Sequence, residues 1–130
     1  MKQNKVIGII PARMASSRFP GKPLKKICGI PMIGHVYLRS LMSKKIDSLY
    51  VATCDKEIAV YINKIGGRVI MTSLKHKRAT DRMAEAIKII EKENKLNCKI
   101  AVLIQGDEPL IDPKMIDLAT SAILKNKKIE

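Results

Sequence analysis

Four short runs of aliphatic and β-branched residues, Val6–Ile10, Ser48–Thr53, Arg68–Thr72 and Ile100–Ile104, alternate with segments of helical periodicity, and nothing else in the chain constrains its fold as strongly. Runs that are apolar on both faces suit the strands of a parallel sheet, which helices cover from both sides. Pro31 to Met42 opens with a proline in its first turn and sets Ile33, Val36, Tyr37, Leu41 and Met42 along one side. Lys56 to Ile65 follows Asp55 as N-cap and stops at Gly66-Gly67. Thr80 to Glu93 places Met83, Ala84, Ile87 and Ile90 on a common face, with Glu91, Glu93, Lys88, Lys92 and Lys95 on the polar one. A last helix, about Pro113 to Lys125, follows Asp112. This order predicts an α/β fold with a mainly parallel, Rossmann-like sheet flanked by helices. With 130 residues, 46% of them hydrophobic, the chain has material for one domain with a real core.

In such a fold ligands bind at the C-terminal ends of the strands. Three segments fall there: the Pro11–Lys22 loop, the Thr53-Cys54-Asp55 corner and the Gln105-Gly106-Asp107-Glu108 turn. The first has small residues together with Arg13, Arg18 and Lys22, and Gly21 stands just before the lysine. Arginine forks and a lysine point charge suit phosphate oxygens, and small side chains let backbone N–H groups approach them. Neither a G-x-x-x-x-G-K-[ST] loop nor a G-x-G-x-x-G fingerprint occurs.

At the Gln105–Leu110 turn a carboxylate lies just beyond a buried strand and next to a glycine, where it can reach a divalent cation without being buried unpaired. With a triphosphate in the first loop, Asp107 is the natural place for Mg²⁺; by itself the segment also reads as a plain polar turn. Thr80-Asp81-Arg82 opens a helix and reads as a capping arrangement with Thr80 as N-cap, or as a polar helix start that holds a base or ribose.

The formal net charge of +13 raises nucleic-acid binding as an alternative. Against it, the lysines are scattered, the dense clusters are Lys75-His76-Lys77-Arg78 and Lys125–Lys128, and no aromatic residues interleave with them for base stacking. The expectation is no nucleic-acid partner. The three cysteines, Cys28, Cys54 and Cys98, form no C-x-x-C pair and are expected as free thiols. No run reaches the roughly 18 apolar residues of a membrane span, and Lys2 and Lys5 lead into no signal-peptide pattern, so no membrane partner and a cytoplasmic location are expected.

Taken together, the motifs have a counterpart. Ile10–Leu24, reading IPARMASSRFPGKPL, resembles the I-P-A-R-x-x-S-x-R-x-P-G-K-P-L signature of the 3-deoxy-manno-octulosonate (Kdo) cytidylyltransferase family. Val51-Ala52-Thr53, Thr80-Asp81-Arg82-Met83-Ala84-Glu85 and Gln105–Leu110 are similar to that family's further motifs in order and spacing, and the resemblance spans about residues 5 to 125. Acylneuraminate cytidylyltransferases share the fold, but the Phe19–Leu24 ending favours the Kdo branch. The resemblance implies a nucleotide-diphospho-sugar transferase-like fold and Mg²⁺-dependent transfer of CMP from CTP to an acidic sugar for lipopolysaccharide synthesis. It implies that Arg13 and Lys22 hold the CTP phosphates, that Ser16, Ser17 and Arg18 shape the loop, and that Thr80 and Arg82 lie near the cytidine. Gln105 would face the substrates and Asp107 would bind the metal. No catalytic role falls to His35, His76 or a cysteine.

Departures from the family pattern are Ala79 in place of a usual Gly and Cys54 in place of a common Asp. Complete members are also substantially longer. Residues 1–130 are therefore expected to be the nucleotide-binding part of a cytidylyltransferase domain. The second metal-binding aspartate, the sugar pocket and much of a homodimer contact would come from a C-terminal part absent from this sequence. One carboxylate cannot clamp both sides of an in-line displacement, so little turnover is expected from the chain alone. A non-catalytic nucleotide-binding domain is the alternative. If the fourth strand is an edge, its Ala101–Ile104 backbone lacks a neighbour, which invites self-association.

Overall fold

The computed structural model describes residues 4–15 and 20–125. Its main sheet is formed by β1 (Asn4–Ala12), β4 (Ser48–Thr53), β5 (Val69–Met71) and β6 (Asn97–Leu103), in the order β5-β4-β1-β6 with every pairing parallel. Between them run α1 (Met32–Ser40), α2 (Lys56–Lys64) and α3 (Ala79–Asn94), with α4 (Pro113–Lys125) last. The α/β order and the parallel sheet are those expected from the apolar runs.

Side-chain alternation on the strands divides the core into two layers. Ile10, Leu49 and Val51 pack with Ile33, Val36 and Tyr37 of α1, Ile58 and Ile62 of α2 and Ile116 of α4. On the opposite face Ile7, Ile9, Tyr50 and Ala52 meet Ala86 and Ile90 of α3. Burying each such isoleucine removes enough apolar surface to contribute about 2–3 kcal/mol. A central β1 with no exposed aliphatic face makes the start of the cationic loop a rigid point of departure.

The structure corrects several details. Helix α1 ends at Ser40, leaving Leu41 and Met42 beyond its last turn and more than half exposed (52% and 58%) instead of on its buried side. In α3 the buried stripe is Arg82, Ala86 and Ile90 at four-residue spacing, and Ala84 faces solvent. That helix begins at Ala79 with Arg78 in the N-cap position, so Thr80 is not the cap.

Between β1 and α1 lies an element that periodicity did not indicate. Lys26–Ile27 (β2) and Ile30–Pro31 (β3) form a two-stranded antiparallel hairpin around Cys28-Gly29. Both turn residues have positive φ, 51° and 81°, as a type I′ turn requires. His35 reaches back from α1 to the Ile27 carbonyl at 2.6 Å, tying the hairpin to the helix. All three cysteines are free.

Strand β6 stands at the sheet edge, paired on one side with β1. Helix α4 is tied to α1 and the loop after it: Arg39 Nε donates to the Ile111 carbonyl at 2.7 Å, and Asp117 accepts from the Ser43 hydroxyl and the Lys44 and Lys45 N–H groups. Burial works against the charged form of Asp117, but these donors together hold its carboxyl below the ordinary value. Glu85 on α3 is likewise held low, first by the Ser73 N–H and then by His76. Carboxyls depressed in the folded state contribute stability that is present above their unfolded values and lost as pH falls through the folded ones. Thermal melts should therefore change little between about pH 7 and 5 from these two groups, with the melting temperature falling below about pH 4. Asp117→Asn should flatten part of that acid limb.

Candidate functional site

Strand β1 ends at Ala12, and the chain turns into the cationic loop at the C-terminal edge of the sheet. Met14, just past the strand, is held through both of its polar backbone atoms. Its N–H donates to Asp55 Oδ2 at 2.8 Å, and its carbonyl accepts the Gly21 N–H at 2.8 Å. Gly21 has φ +80°, a conformation that side-chain-bearing residues rarely adopt, and it leads into a short 3₁₀ turn, Lys22–Leu24. Arg13 and Lys22 thus leave the two sides of one closed loop base. Ser16, Ser17 and Arg18 lie outside the described residues.

The turn after β6 comes to the same place because of Gly106. A Cβ there would meet the Pro11 carbonyl oxygen at 2.9 Å, a backbone contact that cannot yield easily. Without a side chain at 106 the β6 turn lies against the end of β1, and Gln105 and Asp107 stand beside Arg13.

Two adjoining cavities result. The smaller, about 180 Å³, is bounded by Arg13, Lys22, Met32, Gln105 and Asp107. The larger, about 350 Å³, shares Arg13, Gln105 and Asp107 and continues past His76, Lys77 and Arg78 to Arg82. Five of the candidate residues, Arg13, Lys22, Gln105, Asp107 and Arg82, therefore line one cleft; Thr80, exposed at the start of α3, lines neither cavity. Lys77 and Arg78, part of the dense basic cluster in the sequence, form the cationic wall of the larger cavity. The density of basic residues at 75–78 and its closeness to the Thr80 motif were the signals in the sequence.

Arg82 is placed differently from a simple ligand-binding arginine. It is buried, and its guanidinium donates to Thr72 Oγ1 at 2.5 Å, to the Ser73 carbonyl at 3.2 Å and to the His76 carbonyl at 3.2 Å. Glu85 completes this support, accepting from the Ser73 N–H at 3.0 Å and pairing with His76 Nε2 at 2.6 Å. Arg82 and Glu85 together hold the loop that carries Lys77 and Arg78.

Asp107 is the only carboxylate bounding either cavity among the described residues, and among them no three His, Cys, Asp or Glu side chains gather as a metal cluster. This donor set fits Mg²⁺ better than zinc or calcium. Magnesium keeps several waters and is held by one or two carboxylates together with substrate phosphates, so one exposed carboxylate facing cations is compatible with it.

Comparison with known proteins agrees with the fold and the motifs. The chain matches a family model described as cytidylyltransferase over residues 7–129. It is 47% identical over 119 residues to the 3-deoxy-manno-octulosonate cytidylyltransferase of Syntrophobacter fumaroxidans, covering 92% of this chain and 46% of that protein. It is also 47% identical over 112 residues to the 8-amino-3,8-dideoxy-manno-octulosonate cytidylyltransferase of a Shewanella species, covering 86% of this chain and 44% of that protein. Among solved structures, a CMP:2-keto-3-deoxy-manno-octonic acid synthetase complexed with CTP superposes with a TM-score of 0.82 at 37% identity, covering 95% of this chain and 48% of that one. The chain spans about half the length of the curated relatives it matches. It belongs to the cytidylyltransferase family, and the relatives whose N-terminal part it matches are the 3-deoxy-manno-octulosonate cytidylyltransferases.

Proposed function

We propose that this chain is the nucleotide-binding part of a Mg²⁺-dependent cytidylyltransferase, which transfers CMP from CTP to a sugar acid of the 3-deoxy-octulosonate class for lipopolysaccharide synthesis. The observation that carries this is the convergence of Arg13, Lys22, Gln105 and Asp107 on one cleft at the C-terminal edge of the sheet. Arg13 and Lys22 hold and neutralise the triphosphate, and the Lys77 and Arg78 wall raises the local concentration of the anion. Gln105 orients bound substrate by neutral hydrogen bonds. Asp107 would hold Mg²⁺, which when bound draws charge from the phosphate oxygens.

In the reaction the sugar hydroxyl attacks the α-phosphorus and gives up its proton to water, the bond from that phosphorus to the bridging oxygen breaks, and pyrophosphate leaves with the electron pair. Transfer of this kind rests mainly on alignment and charge neutralisation, so no protein nucleophile is needed. Arg82 belongs to the cytidine end of the cleft, chiefly by holding the loop from residue 72 to 76, whereas Thr80 stands outside both cavities and is given no contact with the nucleotide.

The sugar is assigned only as a class, because relatives at equal identity act on a plain and on an 8-amino octulosonate by their names. With one carboxylate in the cleft, the chain alone is proposed to bind CTP·Mg²⁺ weakly and to turn over little. The complete enzyme is proposed to be a cytoplasmic homodimer. Pyrophosphate release from CTP and Kdo by the purified chain is the test. Release at the rate of a complete Kdo cytidylyltransferase would overturn the claim that the cleft is catalytically incomplete, whereas CTP binding with negligible release is the expected result.

A further inference from the structure

Asp55 occupies the N-cap position of α2, where a carboxylate ordinarily accepts an N–H from the first turn of its own helix. It makes no such bond. Its Oδ2 accepts instead the Met14 N–H, 41 residues earlier in the chain, at 2.8 Å. The corner itself is set by the buried Thr53, whose Oγ1 accepts the Asp55 N–H at 3.1 Å and turns the backbone away from β4.

The bond falls at a consequential point. Met14 follows Arg13, and the Gly21 that closes the loop onto the Met14 carbonyl precedes Lys22. Both cations bound the smaller cavity, while Asp55 bounds neither cavity. A single residue, Met14, fixed by Asp55 at its N–H and by Gly21 at its carbonyl, ties together the two points of the backbone from which the charged side chains leave. Resting on the phosphate-binding role given above to Arg13 and Lys22, we propose that Asp55 is a positioning residue for nucleotide binding, acting through the Met14 backbone to hold the loop base in register.

The purified chain tests this with two readouts, amide hydrogen exchange and calorimetric titration with CTP in the presence of Mg²⁺. Asp55→Ala should speed exchange at Met14 and Gly21 by about tenfold or more, the scale of one hydrogen bond to a charged acceptor, while Ile10 and Val51 keep their protection. Its CTP affinity should fall by about tenfold. Asp55→Asn, which keeps an acceptor oxygen, should stay within about threefold of the wild type in both measurements. A local structural role would lower the melting temperature without changing affinity. A positioning role also predicts coupling, so Asp55→Ala should cost less affinity when introduced on Arg13→Ala.

Unchanged exchange at Met14 and Gly21 in Asp55→Ala overturns the proposal. So does unchanged CTP affinity in a chain whose affinity falls on Asp107→Ala, and in that case the nucleotide assignment survives. A wild-type chain with no affinity for CTP removes both.

Discussion

Asp107→Ala is expected to lower the Mg²⁺-dependent affinity for CTP by about two orders of magnitude, since outer-shell partners of metal ligands alone are worth about 10–100-fold. The same substitution should have the opposite sign without metal. Asp107 shares its cavity with Arg13 and Lys22, so its negative charge opposes a bare triphosphate. In EDTA the variant should bind CTP at least as tightly as the wild type. Titrations in both conditions check the pair of signs, and equal losses in both would show that Asp107 supports the cleft structurally and binds no metal. Because Asp107 is exposed and has no resolved structural partner among the described hydrogen bonds, the fold should tolerate its loss.

Arg82→Ala is expected to destabilise the fold by about 3 kcal/mol or more, because it leaves the buried Thr72 hydroxyl and two carbonyls without their donor. Arg82→Lys should recover little, because a single ammonium cannot reproduce a fork aimed at Thr72, Ser73 and His76 together. Chemical denaturation gives the first effect directly. Loop release should appear as well, as faster amide exchange at Ser73, whose N–H is held by Glu85 in the same network. A variant with wild-type stability and lost CTP affinity would mean instead that Arg82 serves as a direct nucleotide ligand.

These two residues show why the site was partly legible in the sequence. Asp107 could be placed because a turn directly after an apolar strand has to fall at the sheet edge, whatever surrounds it. The same logic brings Arg13, Lys22 and Gln105 to that edge, since each follows the end of an apolar strand. Arg82 sits on a helix start that looks polar and exposed, and its burial depends on a loop that packs over it from β5. Asp55 was legible as a helix cap because capping is local; its use of the carboxylate on Met14 depends on strands 41 residues apart in sequence lying side by side.

The fold shows the same division. Strands Val6–Ile10 and Ser48–Thr53 were evident from composition, since few other environments accept such runs. The β2–β3 hairpin was hidden because Cys28-Gly29 replaces the Asn-Gly or Asp-Gly pair that usually marks a type I′ turn. Leu41 and Met42 continued the period of α1 past its end, as the chain has to leave the helix there to reach β4. Lys77 and Arg78 gave no periodic signal, and their role on the cleft wall depends on the side chains of Arg82 and Glu85 beneath them.

The central claim is that the loop after β1 and the turn after β6 together bind the triphosphate of CTP. Calorimetric titration of the purified chain with CTP and Mg²⁺, repeated on Arg13→Ala/Lys22→Ala, tests it most directly, with a random oligonucleotide as competitor at two salt concentrations. Saturable, Mg²⁺-dependent CTP binding that the double substitution removes and the oligonucleotide does not displace is the expected result. Absence of CTP binding, with steeply salt-dependent oligonucleotide binding in its place, would contradict the claim and make the +13 charge the basis of function instead.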